Sequence, residues 1–217
     1  MNASDKLNIL EEICKKNDQL QSFFICYLPQ ATIRKSNTKK LDSEEILKLK
    51  NRVGISFWQS ALTKYHELIL NDDDLISDVI FHNGVGVNES EIHRDELYTK
   101  LKDVFETRGN LKTINIISRV RLRNGDSGYL PMIDFRIKQS EKNLQSAIRI
   151  CEIIGSKLGF KICLIESTNS YHAYGEKILT HNEYFSFLGW AMLFDPLVDG
   201  RHIAHQLIDG YGALRLA

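Results

Sequence analysis

INIISRVRLRNGDSGYLPMIDFRIK, residues 114–138, decides how this chain folds. Ile114, Ile116, Ser118, Val120 and Leu122 alternate with Asn115, Ile117, Arg119, Arg121 and Arg123, and later Ile133, Phe135 and Ile137 alternate with Asp134, Arg136 and Lys138. A period of two predicts half-buried strands. Between them, Asn124-Gly125-Asp126-Ser127-Gly128 is hairpin chemistry: Asn-Gly suits a type I′ turn and Gly-Asp a type II′ turn. A two-residue loop, or a four-residue loop at 124–127, makes paired residue numbers sum to an odd value and sets Arg119 on the face of Asp134. A five-residue loop sets the arginines beside Ile133 and Phe135, and burying unpaired guanidiniums there is costly, so the odd register is expected.

Downstream, Leu144, Ala147, Ile148, Cys151, Ile154 and Leu158 form the apolar stripe of a helix stopped by Gly159. Phe160 to Glu166 and Tyr171 to Tyr174 read as strands around the turn residues Thr168-Asn169-Ser170. Thr180 caps a helix to about Phe194, Asp199 caps a shorter one to Leu207, and 213–216 closes with a strand. Upstream, a helix over 4–16 and a strand over 23–28 precede a basic loop with Arg34, Lys35, Lys39 and Lys40. Asp42 and Glu45 open a helix expected to run to about Leu70, the Asp72-Asp73-Asp74 triplet reads as a solvated turn, and a helix from Leu97 ends near Gly109. The expected fold class is α+β: a mainly antiparallel sheet with helices on one face over residues 111–217, and a mainly helical N-terminal region over 1–110, packed as one unit.

Composition excludes several classes. With 217 residues, 43% hydrophobic and 26% charged, the chain is an ordinary globular one. Lys+Arg and Asp+Glu both number 28, so any nucleic-acid partner must be held by a local cluster of basic residues. Cys14, Cys26, Cys151 and Cys163 lack metal-ligand spacing and read as buried, reduced thiols. No stretch is apolar enough to cross a bilayer, and Asp5, Glu11 and Glu12 stand where a signal peptide is basic and then apolar, so a cytoplasmic location without membrane contact is expected. Asn88-Glu89-Ser90 is then a chance sequon. Gly84-Val85-Gly86 lacks the Lys-Ser/Thr of a P-loop, and His202 with His205 lacks a third metal ligand.

With helices on one sheet face, the other face collects Arg119, Arg121, Arg123, Asp134, Arg136, Lys138, His172, Tyr174 and Arg215. Cations, a carboxylate, an imidazole and an aromatic ring together suit a nucleotide or a nucleic acid. Alternate residues on one strand lie about 6.5–7 Å apart, near the spacing of successive phosphates, so the three arginines read as a phosphate-tracking row.

The stretch Pro131-Met132-Ile133-Asp134-Phe135-Arg136, a helix, and then Ile165 through Gly175 with Ser170-Tyr171-His172 resemble the first two motifs of the archaeo-eukaryotic primase (primase-polymerase) superfamily. Asp199-x-Arg201 and Gly212-Ala213-Leu214-Arg215 look like that family's closing segment, so the resemblance spans roughly 113–217. It implies Asp134 and His172 as catalytic residues, with Ser170, His172, Arg215 and Arg136 around a nucleotide phosphate. Arg119, Arg121, Arg123, Lys138 and Tyr174 would lie along DNA or RNA, and Asp134 with Asp195 would hold Mg or Mn. Arg136 stands where the family usually has a second acid, and a cation there works against metal binding. The expected function is a primase-like nucleotide or nucleic-acid binding module beside a replication, repair or defence protein, with weak or absent polymerase chemistry. The alternatives are an active metal-dependent nucleotidyltransferase and a protein-interaction scaffold.

Overall fold

The computed structural model describes residues 3–28, 41–80, 89–106, 113–167 and 169–216. The basic loop over 31–40, Gly84 to Gly86, Asn88, Gly109 and Thr168 lie outside them. In chain order the elements begin with α1 (Ala3–Lys16), β1 (Leu20–Leu28), α2 (Ser43–Val53), α3 (Phe57–Leu70), α4 (Asp73–Ile80), β2 (Glu89–His93) and α5 (Leu97–Glu106). They continue with β3 (Thr113–Leu122), β4 (Ser127–Tyr129), β5 (Met132–Asp134), α6 (Glu141–Leu158), β6 (Ile162–Glu166), β7 (Tyr171–Gly175), α7 (His181–Met192), α8 (Gly200–Asp209) and β8 (Ala213–Arg215).

The fold is α+β, and its sheets are antiparallel. The chain forms two compact units, Met1–Leu28 with Asn88–Ala217, and Pro29–Val87. The boundary drawn at 110/111 from sequence falls inside the first unit, because β1 pairs both β2 and β3 and so ties the N-terminal segment into the second half. β2 has only Ile92 buried, so it carries little periodic signal in the sequence.

The second unit has its own small core of Leu41, Ile46, Ala61, Ile69 and Leu75. The single helix expected to Leu70 is two: Gly54, at φ +77°, caps α2, and the reciprocal Ser56–Gln59 capping box restarts the chain as α3. The Asp72 carboxylate accepts from the Leu75 N–H at 3.1 Å, and Asp73 and Asp74 form the first turn of α4, so the acidic triplet starts a helix.

The first unit holds two sheets. One runs β2-β1-β3-β4 with β8 also on β3, and the other runs β5-β7-β6. Phe23, Ile25, Ile116, Val120 and Leu214 of the larger sheet share a core with Leu10 and Ile13 of α1 and with Met132, Ile165 and Tyr174 of the smaller sheet. Ile133, Phe135 and Ala173 pack with Ile150 and Ile154 of α6 and with Phe187 and Leu188 of α7 in a second core.

The hairpin register differs from expectation. Arg119 pairs Tyr129 and Arg121 pairs Ser127, an even sum. The Gly125 N–H donates to Leu122 O at 2.9 Å, the Leu122 N–H donates to Asp126 O at 2.9 Å, and Gly125 takes φ +88°. This is a three-residue loop, a turn followed by a left-handed glycine. The premise of a continuous hairpin also fails: the strand ends at Leu130-Pro131, and β5 joins the other sheet. The arginines therefore never meet Ile133 or Phe135, and the burial penalty that favoured the odd register does not arise.

Candidate functional site

β5 and β7 set Asp134 opposite His172 in register. The His172 Nε2 lies 3.5 Å from Asp134 Oδ1, with the imidazole side chain 6% and the carboxyl side chain 31% exposed. Beyond β5, residues 197–199 run alongside it: the Arg136 N–H donates to Leu197 O at 2.9 Å, Phe135 bridges Val198, and the Asp199 N–H donates to Asp134 O at 2.8 Å. That pairing carries Asp199 to Asp134. Asp199 Oδ1 also caps α8, accepting from the N–H groups of Arg201 (3.0 Å) and His202 (3.2 Å).

Burial above all, and then the neighbouring Asp199 charge, push the Asp134 carboxyl up to about 7 against the opposing pull of Arg215 and then Arg136. The Tyr174 phenol is pushed up by burial and by Asp134. Tyr174 is 1% exposed, so its ring belongs to the core between the sheets and offers no surface for a base to stack on. Its hydroxyl is buried with no hydrogen-bond partner among the described residues.

Ser170 is held by the loop before α6. The Gln139 side-chain amide donates to Ser167 O (2.7 Å) and Ser170 O (3.2 Å), and the Tyr171 hydroxyl donates to Ser140 O (3.0 Å) while accepting from the Ser140 N–H (3.0 Å). Lys138 is exposed at the start of the same loop, where its carbonyl accepts from the Asn143 side chain at 2.8 Å.

A buried polar chain positions Arg215. The Gly212 N–H donates to Ser118 Oγ at 2.8 Å, and the Tyr184 hydroxyl lies 2.8 Å from Ser118 Oγ and 2.6 Å from Gln206 Oε1. A carboxamide oxygen only accepts, so Tyr184 donates to Gln206 and accepts from Ser118. The Gln206 amide then donates to His202 Nδ1 at 3.2 Å, which leaves His202 Nε2–H to donate to Ala213 O at 3.3 Å. His202, with its pKa lowered by burial, thus holds β8, and a Cβ on Gly212 would collide with the Gln206 side chain. His202 of the His202–His205 pair is thus a member of this buried chain. Among the described residues no group of three metal-ligating side chains gathers.

The single polar face read from sequence is two groups. Asp134, His172, Arg136 and Arg215 come together. Arg119 instead pairs Glu89 at 2.9 Å and stacks over Phe24 and Tyr211, and Arg121 pairs Glu91 at 3.0 Å over Phe24. Both carboxylates come from β2, which buries only Ile92 and carries little periodic signal in the sequence. Arg123 is exposed in the hairpin loop, its N–H donating to Gln19 O at 2.8 Å.

Asp195 lies against Gly200, where a Cβ would come 2.7 Å from its Oδ1. The acid that acts on Asp134 is Asp199. Its signal in the sequence was Leu197-Val198-Asp199, two apolar residues and an acid that form the short pairing beside β5.

No curated protein and no solved structure matches this chain. A family model described as archaeo-eukaryotic primase 1D-like (AEP-like) matches residues 95–217, more than half of the chain, and its span takes in β5, β7, α8 and β8 together. The chain therefore belongs to the archaeo-eukaryotic primase 1D-like family.

Proposed function

We propose that this protein is a cytoplasmic module of a replication, repair or defence system that binds the phosphates of a nucleotide or of a DNA or RNA end at Asp134, His172, Arg136 and Arg215, with little metal-dependent synthesis. The reading is supported by the gathering of Asp134, set opposite His172 at 3.5 Å across β5 and β7, with the Arg215 and Arg136 guanidiniums whose charges act on it. Arg215 and Arg136 supply charge-assisted hydrogen bonds to phosphate oxygens, with His172 and Ser170 beside them. Near neutral pH a half-protonated Asp134 repels an incoming anion less than a full carboxylate does, and its protonated form donates a hydrogen bond.

A magnesium or manganese ion of the kind the family implies fits this donor set poorly. Two carboxylates, one of them already capping α8, face two cations, and no third ligand joins them among the described residues.

One observation favours a second reading, an active nucleotidyltransferase. Asp134 and Asp199 repel each other, and a divalent cation between them would relieve that repulsion. Primer extension on a template with manganese separates the two. Weak or absent synthesis agrees with the binding module, and robust synthesis lost in Asp134→Ala makes the protein an enzyme.

A further inference from the structure

The smaller sheet runs β5-β7-β6, so β6 is an edge strand, paired only with β7 among the described residues. The Glu176 N–H donates to Lys161 O at 3.0 Å, which makes Lys161–Glu176 a hydrogen-bonded pair. Antiparallel alternation then turns the backbone groups of Cys163 and Ile165 toward β7, and those of Ile162 and Leu164 outward. The far side of β7 keeps the same alternation, with the Gly175 N–H donating to Pro131 O and the Phe135 N–H donating to Tyr171 O.

Beside this edge lies a groove of about 610 Å³ between β6 and α6, lined by Leu144, Ile148, Cys151, Phe160 and Leu164, with Glu152 and Lys161 also on its wall. Gly155 lets α6 approach closely, since a Cβ there would sit 2.5 Å from Phe160 O. Ile-Cys-Leu-Ile, residues 162–165, carries neither a charge nor a proline, the usual guards of an exposed edge.

We propose that the free edge of β6 docks an extended peptide from a partner protein, which extends the sheet and sends alternate apolar side chains into the groove beside α6. The outward N–H and C=O groups of Ile162 and Leu164 select the occupant, because an extended backbone matches donor and acceptor alternately at strand spacing. The apolar groove selects medium-sized hydrophobic residues two apart, and Glu152 and Lys161 suit a peptide with polar residues between them. β7 separates this edge from β5, so a docked peptide leaves the Asp134 group open, and the proposal stands independently of what that group binds.

The test uses the full chain and a panel of capped heptapeptides alternating valine or leucine with threonine, read by fluorescence anisotropy and amide hydrogen exchange. Binding is expected to slow exchange at the Ile162 and Leu164 amides. N-methylating the peptide's β6-facing amides removes two hydrogen bonds and should weaken it about tenfold. Ile148→Glu, a change at a half-exposed position, should weaken it comparably. The proposal fails if no peptide of the panel binds, or if N-methylation leaves affinity unchanged. It also fails if the Ile162 and Leu164 amides are already protected in the free chain, because a second copy or another segment of the chain then covers the edge.

Discussion

Replacing Asp134 by Asn should stabilise the folded chain, and only above acidic pH. The carboxyl titrates near 7 in the fold, against an ordinary value of 3.8. From about pH 4 to about pH 7 the folded state binds more protons than the unfolded state, so stability falls as pH rises and stays reduced above 7. About three pH units at ~1.4 kcal/mol each set a ceiling of ~4 kcal/mol. The side chain keeps 31% of its exposure, so water screens part of this, and about 2 kcal/mol is expected at pH 8. For a chain of this size that raises the melting temperature by ~4–8 °C. Urea unfolding at pH 4 and pH 8 measures it in a Trp58→Phe background, where Trp190 of α7 alone reports on the first unit. The Asn variant should match its parent at pH 4 and exceed it at pH 8. Equal stability at pH 8, or a gain of the same size at both pH values, would refute the strained carboxyl.

Removing Arg119, Arg121 and Arg123 together should flatten the salt dependence of single-strand binding by about 0.7 in the log–log slope, the value for one phosphate contact, because Glu89 and Glu91 already engage two of the three. A drop of about 2 would mean that all three meet phosphate. Tyr184→Phe should cost ~1–3 kcal/mol by removing the donor to Gln206 Oε1 and the acceptor of the Ser118 hydroxyl proton, and urea unfolding that matches the parent would show that the buried chain does not hold β8. Arg136→Asp should raise manganese affinity, measured by electron paramagnetic resonance of the free ion, and an unchanged affinity would remove Arg136 as the group that opposes metal.

Elements with strong periodicity or capping were legible from sequence: α6 with its stop at Gly159, α8 after Asp199, and β6 with β7. Asp134 and His172 were legible through the two motifs that carry the family resemblance, and the structure sets those motifs on neighbouring strands. The rest depended on tertiary pairing. The left-handed glycine at 125 sets a loop length that strand alternation does not encode, and the break at Leu130-Pro131 sends β5 to a different sheet. β2 buries one residue yet brings the two carboxylates that neutralise Arg119 and Arg121. Asp199 has the composition of a helix cap and fills that role, while the pairing of residues 197–199 with β5 gives it a second one.

The Asp134 group is expected to bind phosphate through cations rather than through a metal. Isothermal titration of a nucleoside triphosphate, with and without manganese, against the parent chain and its His172→Ala and Arg215→Ala variants separates the two modes. Binding should occur without metal, change little when manganese is added, and weaken by about 1–3 kcal/mol in each variant. Binding that appears only with manganese, or that is unchanged in both variants, would contradict it.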